Sequence, residues 1–183
     1  MLQPSRVLDR IVVLIAVAVI SGAALANEDE LARGAALLSP LKNDLKQALV
    51  AGLETGPVNA ITVCRDQAPM IASALSVDGV EMGRSSHRLR NPANLAPDWV
   101  SAVLETYQAN ATDRTPQLVR LEDDRLGYIE PIMLQGMCVV CHGKVLAPEV
   151  VEQISESYPE DRATGFEVGD LRGVYWVEFP ARQ

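Results

Sequence analysis

Cys138-Val139-Val140-Cys141-His142 is the stretch of this chain whose residue types and spacing could do chemistry. Two thiols two residues apart can each add across one vinyl group of a haem, forming two thioethers. The imidazole that follows is then held against one face of the ring, within reach of iron. The pattern predicts one covalently attached haem c, bound through Cys138 and Cys141 and ligated by His142. Two other chemistries use the same residue types. A redox dithiol of the thioredoxin kind sits at the head of a long helix near the start of the chain, whereas this motif lies in the last third and Gly143 follows at once. A zinc site would collect Cys64, His87, Cys138 and Cys141 into a Cys3His tetrahedron, but the set lacks a second closely spaced ligand pair.

The compartment must suit such an attachment, and the N-terminus predicts that it does. Arg6 and Arg10 precede an apolar run from Ile11 to Ile20, and Ala24-Leu25-Ala26 supplies the small-x-small pattern of a signal-peptidase site. Residues 1–26 are therefore expected to be a signal peptide, and 27–183 one exported domain, periplasmic or otherwise extracytoplasmic. The apolar run falls short of the ~20 residues a membrane-spanning helix needs, so no membrane attachment is expected after cleavage. The uncleaved alternative is an N-terminal anchor. Three cysteines in an exported chain leave one outside any disulfide, which also suits a haem motif plus one further thiol. With 16 basic against 24 acidic residues and a formal charge of −8, nucleic acid and anionic lipid are poor partners.

The elements that must position the motif follow from periodicity. Leu31, Ala35, Leu38, Leu41, Leu45, Leu49 and Leu53 recur at helical spacing, and Ser39-Pro40 predicts two pieces or a kink. After Gly56-Pro57, a second helix over 58–75 puts Ile61, Cys64, Ala68, Ile71 and Leu75 on one inward stripe. Residues 80–89 read as a strand, with Arg84, Ser86, Arg88 and Arg90 on one face and Ser85, His87 and Leu89 on the other. A helix opens at Pro97-Asp98 with Trp99, Val100, Val103, Leu104 and Tyr107 as its apolar face. Residues 118–121 and 126–132 make a hairpin around Glu122-Asp123-Asp124. A short helix over 148–157 would bury Val150, Val151 and Ile154, and 174–179 close the chain as a strand. Tyr175 and Trp176 would be core on its two faces, with Asp170 and Arg172 a structural pair before it. Helices and strands without βαβ regularity imply an α+β domain with an antiparallel sheet.

Several short segments, in order, resemble a family of PAS-like c-type haem domains found as exported proteins and as extracytoplasmic sensor modules. They are Ala60-Ile61-Thr62-Val63-Cys64, Gly83-Arg84-Ser85-Ser86, Leu89-Arg90-Asn91-Pro92-Ala93-Asn94, Tyr128 with Pro131-Ile132, and the haem motif with Gly143. Tyr158-Pro159, Asp161, Ala163, Gly165-Phe166, Gly169-Asp170 and Arg172-Gly173 complete the set. The resemblance implies a PAS-like antiparallel sheet flanked by helices, haem c in its pocket, and a cysteine as second axial ligand at the position of Cys64. His87 departs from the family pattern, where leucine is usual, and so competes for that place. Met133, Met82 or water are the remaining choices.

Arg84, Arg88 and Arg90 gather three positive charges in an acidic chain, and arginine forks suit the carboxylates of haem propionates. A His/thiolate iron leaves no open site for catalysis, and nothing beyond His87 offers an acid or base, so an enzyme is not expected. The expected role is a redox or small-ligand sensor module that passes its signal to a receptor or other partner protein, with a small gas as one conceivable ligand. A small electron-transfer cytochrome docking to a basic redox partner is the alternative.

Overall fold

The computed structural model describes residues 6–182, with side chains over 26–182. The expected signal peptide therefore falls partly outside the described residues. Helix α1 (Arg6–Thr55) leads into α2 (Pro57–Leu75), and the strands are β1 (Glu81–Ser85), β2 (Gln117–Arg120), β3 (Arg125–Met133) and β4 (Leu171–Pro180). Between them lie α3 (Asp98–Ala109), a single helical turn α4 (Val139–His142) and α5 (Pro148–Ser157). The four strands form one antiparallel sheet in the order β1-β4-β3-β2, so the architecture is α+β as expected. Among the described residues no helix is long and apolar enough to cross a membrane.

Strand alternation places a core on each face of the sheet. Leu126, Tyr128, Val177 and Phe179 face Leu38, Leu41 and Leu45 of α1. Ile129 and Val174 face Val100, Val103, Leu104 and Tyr107 of α3, the face its periodicity predicted. Gly34 lets α1 lie flat on the sheet, because a Cβ there would stand 2.4 Å from Tyr128 Cβ. Gly34→Ala must push helix and strand apart, and we expect a loss of about 1–3 kcal/mol in urea unfolding. A loss under about 0.5 kcal/mol would show the helix seated elsewhere.

Four expectations are corrected. Helix α1 continues through Pro40 as one helix and not as two pieces. A proline inside a helix costs ~3 kcal/mol, and here Leu38 and Leu41, both almost wholly buried on either side of it, hold the helix to the sheet. Strand β1 stops at Ser85 instead of reaching Leu89, because side-chain hydroxyls take over from the ladder. Ser85 Oγ donates to the Asn94 carbonyl (2.6 Å), and Ser86 Oγ donates to the Arg172 carbonyl (2.6 Å) while accepting from Arg88 N. Val151 is exposed, α5 burying only Val150 and Ile154. Asp170 and Arg172 do not pair. Asp170 Oδ2 accepts from Glu167 N (2.7 Å), and Arg172 Nη1 donates to the Arg88 carbonyl (3.2 Å).

Candidate functional site

The Cys138 to His142 stretch is built as a short turn clamped to a distant loop. Residues 136–138 form a 3-10 turn, and α4 follows directly. Gly143 closes that turn with its N–H on the Val139 carbonyl (2.9 Å), where a Cβ would sit 2.5 Å from the same oxygen. Beyond it the backbone bridges to Phe166: Phe166 N donates to the His142 carbonyl (2.9 Å) and Gly165 N to the Gly143 carbonyl (2.8 Å). His142 Nδ1 lies 2.6 Å from the Ala163 carbonyl. A carbonyl only accepts, so Nδ1 carries the proton and Nε2 keeps its lone pair for a metal. Burial, helped by Arg172 and Arg90 and opposed by the Ala163 carbonyl, drops the His142 pKa to about 2, so the ring is neutral.

Arg90 locks this arrangement. It forks onto Asp161 (Nε–Oδ1 3.0 Å, Nη2–Oδ2 3.4 Å), and Nη2 also donates to the carbonyls of Cys141 (2.6 Å) and Ala163 (3.3 Å). Asp161 Oδ1 in turn accepts from Ala163 N (3.0 Å). The pair is buried, with the two side chains 11% and 8% exposed.

The motif forms one wall of a cavity of about 440 Å³ enclosed by α1, α2, β1, β4 and the segment around Leu134. Cys138, Cys141, His142 and Cys64 all reach it, as do Met82 and Met133. None of the three cysteines is in a disulfide. Burial raises the Cys64 thiol pKa, an effect that Arg84 and Arg90 partly offset, and burial raises the Cys141 thiol as well. Arg84, Arg90 and Arg172 line the cavity, and among the described residues no Asp or Glu does.

Two expected site residues lie elsewhere. His87 is exposed on the loop after β1 and packs edge-on to Phe166 (6.0 Å between centroids), outside the cavity wall. Arg88 is also off the wall. Its Nε donates to the Arg162 carbonyl (3.0 Å), its Nη2 to the Thr164 carbonyl, and its guanidinium stacks on Phe166 at 4.3 Å. The reason is the early end of β1: past Ser85 the alternation that grouped Arg84, Arg88 and Arg90 no longer applies. The Cys3His grouping does not assemble, and no cluster of three or more His, Cys, Asp or Glu residues suited to a metal exists among the described residues. Arg172, expected only as a structural partner of Asp170, is also a cavity residue, because β4 begins at Leu171 and not at Val174.

A four-stranded antiparallel sheet with helices on both faces, holding a cavity lined by the Cys-x-x-Cys-His turn, defines an α+β domain with a pocket. A family model described as Tll0287-like matches residues 18–180, and the chain belongs to that family. A solved structure, the crystal structure of the cyanobacterial haem protein Tll0287, is similar at 27% identity and a TM-score of 0.57, covering 86% of this chain and 98% of that one. No curated protein matches the chain.

Proposed function

We propose that this protein is an exported haem c domain of PAS-like fold that works as a redox or small-ligand sensor through a partner protein. The observation that carries the reading is the convergence of Cys138, Cys141 and His142 on one cavity, with the His142 ring neutral and its proton held by Ala163. The cavity volume lies in the range of ordinary cofactor pockets. Its apolar walls and three arginines suit a flat apolar ring that carries carboxylates. The similar structure is that of a haem protein, which supports the same ligand here.

Haem bound in this pocket would supply a one-electron iron couple. The chain's own residues do the rest. Cys138 and Cys141 would anchor it and His142 would coordinate through Nε2, while the Ala163 carbonyl and Arg90 hold that ring in place. Cys64 would supply a second ligand to the iron, supported by its place on the cavity wall, which His87 does not share. Because Cys64 belongs to α2, which packs on α1 and α5, a change at the iron would be felt by that helix. An electron-transfer role is supported by the exposed Val140 within the motif and Val145 just after it, in an acidic chain.

Protein produced with c-type maturation should stay red through acid-acetone extraction and carry one haem per chain. Extractable haem, or zinc in elemental analysis, would overturn the proposal.

A further inference from the structure

The arginines on the cavity wall are not equivalent, and the difference assigns a ligand. Arg90 is answered by Asp161, and its Nε and Nη2 are spent on that carboxylate and on two carbonyls. Arg88 lies off the wall with its donors on the 162–164 loop. Arg84 and Arg172 remain. Arg84 forms no ion pair among the described residues. Arg172 spends one N–H on the Arg88 carbonyl and has no carboxylate either. They come from strands that pair with each other, β1 and β4. Two sheltered guanidiniums on one wall repel and lose hydration unless anions answer them. Among the described residues, no Asp or Glu lies on this wall.

We infer that Arg84 and Arg172 form a dicarboxylate subsite that receives the two propionates of the cofactor, Arg90 being a structural clamp instead. The inference rests on the proposed haem reading. A neutral ring would leave both charges unanswered and a monoanion one of them, whereas an apolar body with two carboxylates matches both.

The test is the pH dependence of the midpoint potential of the haem-loaded full chain. Carboxylates paired with arginine titrate about 1–3 pH units lower than free ones. Arg84→Gln and Arg172→Gln should therefore each move the acid transition up by about one unit or more. Arg84→Lys should hold most of the wild-type profile, and Arg88→Gln all of it. The other carboxylates to control for are Asp161, which stays paired with Arg90 in every variant, and Glu130 of β3, which lies across Tyr175 from Arg84 in the sheet and pairs with Lys42, and for which Glu130→Gln is the control. A second measurement uses the Cys138→Ala/Cys141→Ala chain with ferric protoporphyrin IX and with its dimethyl ester. The free acid should bind about tenfold tighter or better, and the preference should vanish when Arg84→Gln and Arg172→Gln are added. Superimposable pH profiles, or equal binding of acid and ester, would overturn the arginine assignment while leaving the haem reading intact. A wild-type chain without haem would overturn both.

Discussion

Asp161→Asn should destabilise the domain by about 3–5 kcal/mol, the cost of leaving a buried charge without its partner. The carboxylate is 8% exposed, and the guanidinium it faces is 11% exposed. In the variant, Arg90 keeps its charge on a wall that already holds Arg84 and Arg172. The Ala163 N–H also loses a charged acceptor, and with it goes the local geometry that presents the Ala163 carbonyl to His142. The fall should appear as a lower urea midpoint at unchanged slope. Replacing both partners together, Arg90→Met with Asp161→Leu, should cost less than Asp161→Asn alone, since no unpaired charge remains. A single-variant loss below about 1 kcal/mol would place the pair with solvated surface bridges.

The second large effect is expected at Cys64. As a thiolate ligand it would give a low-spin ferric spectrum with sulfur-to-iron charge-transfer bands and a potential well below that of a His/Met iron. Axial ligands move haem potentials over about 0.8 V. Cys64→Ser should raise the potential or open the iron to added ligands, because a hydroxyl is a weak substitute for a thiolate. His87→Ala should leave the spectrum unchanged, as His87 sits on an exposed loop against Phe166. Met82 and Met133 share the cavity wall with Cys64, so Met82→Leu and Met133→Leu belong in the same series. A silent Cys64→Ser beside a methionine variant that opens the iron would make Cys64 a buried core thiol.

The parts of this molecule legible in the sequence are those with local causes. The Cys138 to His142 turn, the stripe of α2 that carries Cys64, the apolar face of α3 and the β2–β3 hairpin all depend on spacings of a few residues. The two central aspartates of that hairpin adopt the left-handed conformation that tight turns require. What the sequence hid depends on contacts across long separations. Arg90 and Asp161 stand 71 positions apart, and nothing near either one announces the other. The expectation that Arg88 faces the ligand followed from extending strand alternation, and failed because Ser85 and Ser86 bond the backbone and end the ladder there. Ser39-Pro40 read as two pieces or a kink from local propensity, and packing of Leu38 and Leu41 on the sheet carries one helix through.

The central claim is that Cys138 and Cys141 hold a cofactor covalently in the cavity beside His142. Mass spectrometry of the denatured protein, exported from a host with c-type maturation, tests it in one measurement. The account predicts a chain beginning at Asn27 with the mass of one haem added, and a proteolytic fragment containing Cys138 and Cys141 that carries that mass. A chain of unmodified mass with two titratable thiols at these positions would contradict it.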